Sequence, residues 1–228
     1  MKYFSKPTPN ELVFGFIYFL LQLFVIPGIL VSVNMMLANP MSETLLNFVC
    51  FAINFVAVLL IFWKFLRANW PPVRRLPWYV LRCAGIGLLI YMAGNTVFGM
   101  LVSIIYPAFA NINDASIAQM VEESFGLMTI GTVFLVPVVE ECFYRGLLFR
   151  GIYDRSPVWA YIVSMTLFSL AHVLGYVTMV DFTTLVLCFF QYLPAGFALA
   201  WSYRKSGSIY ASILIHMAVN QTGMLLMR

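Results

Sequence analysis

Six side chains able to move protons, hold charge or donate hydrogen bonds stand in largely apolar stretches: Glu140, Glu141 and Arg145, then His172, then His216 with Asn220. Ionisable groups are costly in a hydrocarbon setting, so they are rare, turn toward a protein interior and are candidates for function. His172 and His216 are the only histidines of the chain. Residues four apart share a helix face, while adjacent ones point about 100° apart. Glu141 is therefore expected to pair with Arg145, which leaves Glu140 as the carboxylate available to take a proton, the task of a general base. His216 and Asn220, again four apart, present an imidazole and a carboxamide in one direction, an arrangement that suits a developing oxyanion. The same groups also admit a purely structural reading as a buried ion pair, a histidine bonded to a backbone carbonyl, and hydrogen bonds between helices.

These residues need elements that bring them to one depth. The chain of 228 residues is 62% hydrophobic and only 10% charged, where a soluble domain carries about a quarter charged residues. Lipid is the solvent this composition demands. Several apolar runs reach about 20 residues, enough to cross a bilayer as helices. The runs predict an all-α, polytopic membrane protein with helices over 12–35, 43–66, 78–106, 127–149, 158–175, 182–203 and 208–227. The whole of 1–228 reads as one integral membrane domain, with three N-terminal helices (12–106) and a motif-bearing core (127–222). Phe14 to Val33 is too long for a signal-peptide core and reads as a retained helix.

Charge tests the count. Lys2 and Lys6, then Lys64, Arg67, Arg74, Arg75 and Arg82, then Arg150 and Arg155, then Arg204 and Lys205 fall at alternate ends, and the remaining loops carry Glu43, Asp114, Glu122, Glu123 and Asp181. Seven crossings with a cytoplasmic N-terminus satisfy the positive-inside rule at every loop. The same distribution explains the net charge of +4 without a nucleic-acid partner. Asn113 to Phe125 reads equally as a short amphipathic helix or a solvated loop. Counting about 1.5 Å per residue, Glu140 lies roughly 15 Å below Arg150 and His216 roughly 12 Å below Ser208, a shared depth; His172, roughly 22 Å from Pro157, joins them only if its helix is tilted or begins inside the membrane.

The smaller signals are structural. Cys50, Cys83, Cys142 and Cys188 occur singly in apolar runs and read as small buried hydrophobes. Gly85, Gly87 and Gly196 permit close helix approach. The sequon Asn220-Gln221-Thr222 falls inside a membrane helix and is discounted.

Taken in order, Glu140-Glu141-x-x-x-Arg145, Phe168-x-x-x-His172 and His216-x-x-x-Asn220 closely resemble the motifs of the CAAX protease and bacteriocin-processing (Abi) family of intramembrane glutamate proteases, within the Rce1-like prenyl endopeptidase superfamily. The resemblance covers about residues 127–222. It implies that Glu140 and His172 activate a water, that His216 and Asn220 stabilise the oxyanion, and that Glu141 with Arg145 supports them, without a cofactor. It further implies a multi-pass bacterial plasma-membrane protein, in contact with lipid, acting on a membrane-associated or lipidated peptide. Some members have eight helices rather than seven. Two alternatives stay open: a catalytic zinc held by Glu140, His172 and His216, and a non-catalytic partner such as a bacteriocin self-immunity or peptide-maturation protein. A transporter is less well served, because helices broken in two matching halves are not evident.

Overall fold

The computed structural model describes residues 4–228, and these form helices joined by short turns, with no strand among them. Lys2 lies outside the described residues. In chain order the helices are α1 (Pro9–Phe24), α2 (Ile26–Met35), α3 (Glu43–Ile61), α4 (Trp63–Ala68), α5 (Trp70–Arg75), α6 (Pro77–Ile105), α7 (Ile112–Glu123), the long span α8 (Phe125–Tyr153), α9 (Pro157–Ala171), α10 (Phe182–Ser206) and α11 (Ile209–Leu226). Six of them are long and apolar enough to cross a membrane, and α1 with α2 makes a seventh span if the bent pair is counted as one. The chain is a multi-pass helical membrane protein.

Local chemistry sets most boundaries. Thr8 and Glu11 form a reciprocal capping box at the start of α1, and Ser42, Ser156 and Asp181 accept backbone N–H groups at the starts of α3, α9 and α10, which satisfies donors that lipid cannot. α10 ends at Gly207, whose φ of 71° is the left-handed conformation that closes a helix cheaply only at glycine.

Two expected helices are broken. The first bends by 44° between α1 and α2, because Pro27 has no N–H to give and its ring collides with the preceding turn. The second ends at Ile61 and resumes as α4. Here the cause lies far away in sequence: Glu11 Oε1 accepts the Phe65 N–H at 2.7 Å, so one carboxylate caps both α1 and α4. The stretch around Asn113 to Phe125 is a helix, α7.

Between helices in lipid there is no hydrophobic drive, so close fit and polar contacts decide the packing. Phe19 of α1 and Phe62 at the end of α3 meet Phe143 and Tyr144 of α8 at ring separations of 5.2 to 6.0 Å, within one buried cluster that also takes in Tyr203 and Ile209. α9 and α10 touch where a Cβ on Gly196 would stand 2.7 Å from Met165 Cβ and 2.9 Å from its Cα. Gly87 lies as close to Ile215, whereas Gly85 faces open space.

Lys6 and Arg150 both reach Asp154, at 3.6 and 2.8 Å, and Arg204 bonds the Tyr153 hydroxyl. Thus the basic residues of three alternate loops share one end of the bundle. At the other end, Thr44 donates to Glu123 at 2.6 Å.

Candidate active site

Glu140 and Glu141 occupy a short α-helical segment, Val136–Glu141, set between two wide π-helical turns of α8, Thr129–Leu135 and Cys142–Phe149. Pro137 accounts for the first, since it cannot donate to Val133 and the bonding pattern must widen there. The wide turns offer carbonyls to neighbouring helices. Asn220 Nδ2 donates to Thr132 O at 2.7 Å, and Ser164 Oγ donates to Tyr144 O at 2.8 Å. Such turns recur where helices carry function.

The expected Glu141–Arg145 pair is present and fully buried, with Arg145 Nη1 donating to Glu141 Oε1 at 3.0 Å. Arg145 also donates to Gly196 O at 3.1 Å and lies over the Phe168 ring at 4.6 Å. Glu141 Oε1 is shared, because His216 Nδ1 approaches it at 2.9 Å. One carboxylate oxygen therefore ties α8 to α11, and its arginine ties α8 to α10. A buried pair of this kind holds only while both members are present; removing one leaves a charge in apolar surroundings.

Glu140 is placed differently. Its Oε2 is buried and makes no hydrogen bond among the described residues. His216 Nε2 stands 3.8 Å from it and His172 Nε2 stands 4.0 Å from it. The two histidines from different helices thus converge on one carboxylate oxygen, at separations longer than a direct hydrogen bond. His172 reaches this depth because α9 ends at Ala171: the residue stands at the helix terminus, and that end lies level with Glu140. Its Nδ1 is 2.8 Å from Phe168 O. A carbonyl can only accept, so Nδ1 carries the hydrogen, and in the neutral ring Nε2 is an acceptor turned toward Glu140.

Asn220 is on α11 with His216, yet one of its amide hydrogens is engaged by Thr132 O. The carboxamide has a second N–H to give. Phe168 is the common wall, with its ring 4.5 Å from that of His172 and 5.9 Å from that of His216. Among the described residues, no three His, Cys, Asp or Glu side chains are disposed to hold a metal ion.

Several residues near the site are not in the motifs. Tyr192 of α10 stacks on His172, and its hydroxyl lies among Asn111, Asn113 and Asp114 at the start of α7. Burial raises the Asp114 carboxyl above its ordinary value, against the lowering effect of the Tyr192 hydroxyl. A signal for these contacts exists in the polar pair Gln191-Tyr192 within an otherwise apolar run. Glu11 is a further buried carboxylate, only 5% exposed, and its signal is the Thr8-x-x-Glu11 spacing of a capping box.

Comparison with curated proteins and with solved structures finds no match to this chain. Residues 122–222, the stretch in which all of these motif residues lie, match the family model of the Rce1-like proteins, described as type II CAAX prenyl endopeptidases, the superfamily that the three motifs resemble.

Proposed function

We propose that the protein is an intramembrane endopeptidase of the glutamate type, which hydrolyses a peptide bond in a membrane-associated or lipidated peptide. The observation that carries this reading is the buried Glu140 Oε2, without a hydrogen bond among the described residues and faced by two imidazole Nε2 atoms at 3.8 and 4.0 Å. Glu140 and the neutral His172 are both acceptors there. A water molecule, with two hydrogens to give, satisfies both at once and keeps an oxygen lone pair for attack.

The proton balance follows. Water attacks the substrate carbonyl and its proton passes to Glu140. The oxyanion that forms accepts hydrogen bonds from the second Asn220 N–H and from the Nε2–H of a His216 ring that carries both its hydrogens throughout, Nδ1–H given to Glu141, and so takes none from the water. Glu140 then hands the proton to the leaving nitrogen as the C–N bond breaks. Arg145 pairs with Glu141 and holds it in place, and Glu141 orients His216. No metal is required by these steps. With the basic loops at the cytoplasmic face, the site is reached from the side of Arg150 and Arg204.

The test uses the full chain purified in detergent, with a prenylated CAAX peptide as probe and the peptide profile of native membranes as a second readout. Glu140→Gln is expected to lower cleavage at least about a hundredfold, the usual scale for a general base, with unchanged thermal stability. A variant that still cleaves at the wild-type rate sinks the proposal, and a chelator that abolishes wild-type cleavage redirects it to the zinc alternative.

A further inference from the structure

His172 is held by more than its own helix. It is the residue at which α9 ends, where regular bonding gives way to the turn Leu174–Tyr176, and a single side-chain hydrogen bond, to Phe168 O, fixes its ring. Tyr192 supplies the missing constraint. Its ring lies against the imidazole with centroids 4.3 Å apart and planes inclined by 29°, while the Phe168 ring approaches at 4.5 Å. The imidazole is thus confined by two aromatic rings from two helices.

Tyr192 is in turn anchored from outside the motif-bearing spans. Its hydroxyl accepts from Asn113 Nδ2 at 3.0 Å and can donate to Asp114 Oδ1 at 3.3 Å or Asn111 Oδ1 at 3.5 Å. Asn111 also donates to the neighbouring Gln191 at 2.8 Å, and Asn113 accepts from Tyr176, just beyond His172, at 3.4 Å. The start of α7 therefore grips both the ring that stacks on His172 and the turn that follows it.

We propose that Tyr192 is a positioning residue which, anchored by Asn113 and Asp114 of α7, holds the His172 ring so that Nε2 faces Glu140. The importance of that orientation rests on the reading of Glu140 and His172 as the water-activating pair; the positioning itself does not. A stacked ring leaves the imidazole free to exchange protons but not to swing away, and a misplacement of about 1 Å at a reacting group costs on the order of a hundredfold in rate.

The experiment exploits the fact that His172 and His216 are the only histidines. Labelling with 15N-histidine gives two imidazole spin systems in the full chain in detergent, and His172→Gln assigns them. In Tyr192→Leu the His172 nitrogens are expected to broaden or shift toward a mixture of tautomers, while the His216 nitrogens, fixed by Glu141, stay unchanged. Tyr192→Phe keeps the ring but loses the hydroxyl anchor, and is expected to broaden the His172 signals less than Tyr192→Leu does. Unchanged His172 signals in Tyr192→Leu overturn the proposal, as does an equal change at both histidines. If Tyr192→Leu does not fold, the double variant Asn113→Ala/Asp114→Ala decides, since it leaves the tyrosine ring in place and is expected to broaden His172 alone. Against the prenylated peptide, Tyr192→Leu should lower kcat roughly ten- to a hundredfold with KM within about twofold, and Tyr192→Phe, which keeps the stacked ring, should restore part of it. A wild type that cleaves nothing fails the protease reading, and the imidazole spectra still judge the positioning.

Discussion

The N-terminal region and the motif-bearing region each bury carboxylates, and the two treat them in opposite ways. Glu11 has both oxygens satisfied, by the Thr8 N–H and hydroxyl on one side and by the Phe65 N–H on the other. Glu141 is held through Oε1 alone, by Arg145 and His216, and its Oε2 is buried without a hydrogen bond among the described residues. Glu140, one residue away, also keeps a buried Oε2 that no described residue bonds, and this one is faced by two imidazole Nε2 atoms at 3.8 and 4.0 Å. A fully bonded acid fixes backbone geometry and has nothing left to offer. An acid with an open acceptor flanked by two imidazoles has capacity to accept a proton, and the paired groups beside it tie its helix to its neighbours. Burial alone therefore separates nothing here; hydrogen-bond saturation sets Glu11 apart, and the arginine partner of Glu141 distinguishes it from Glu140.

Substitutions can break this comparison, beginning with the largest effect. Arg145→Met should destabilise the fold by about 3–5 kcal/mol, because it strands Glu141 and removes the tie to Gly196; thermal unfolding in detergent and folded yield measure it. Glu140→Gln should act in the opposite sense, with cleavage down at least about a hundredfold and the unfolding temperature unchanged. If both variants lose stability equally, the distinction between the arginine-paired and the unpaired carboxylate fails. Glu11→Ala should cost about 1–3 kcal/mol through the loss of two caps and the exposure of an unpaired N–H, while activity per folded molecule stays at the wild-type level.

The smallest effect sharpens the contrast at the membrane surface. Arg150, by its hydrogen bond to the carboxyl, and Lys6 hold Asp154 below the ordinary aspartate value. A carboxyl whose pKa is depressed by folding contributes stability above its unfolded pKa and loses it as pH falls through the folded value. Its side chain is 55% exposed, so screening limits the contribution to under about 1 kcal/mol. Asp154→Asn should accordingly shift stability slightly at neutral pH, and wild type and variant should converge in acid.

Much of this arrangement was legible in the amino-acid sequence, for physical reasons that differ by feature. Long apolar runs mark the spans because nothing else is stable in lipid, and the spacing of four places Arg145 over Glu141 and His216 near Asn220 because that is the helix repeat. The features that escaped are those set by distant contacts. The break at Phe62 depends on Glu11, more than fifty positions away, and the stack of Tyr192 on His172 depends on how α9 and α10 cross at Gly196. Depth counting misjudged His172 because it treats each helix as normal to the membrane, whereas α9 stops at the level of Glu140. Asn220 was expected beside His216 with its donors toward substrate, but the wide turn at Thr132 takes one of them, and no spacing rule announces a π-turn.

The wide turn over Cys142–Phe149 has a consequence for angular phase. A π-turn behaves as one residue inserted into an α-helix, and each residue turns a helix by about 100°. Everything before the turn is rotated by that much relative to everything after it. Closing the turn by deleting one residue would leave α8 as apolar and as able to span as before, with Arg150 still anchored among the N-terminal residues. The carboxylates would then swing by roughly a quarter of a circle, and the site would be lost with its composition intact. Angular offset, as much as residue identity, is what this helix encodes.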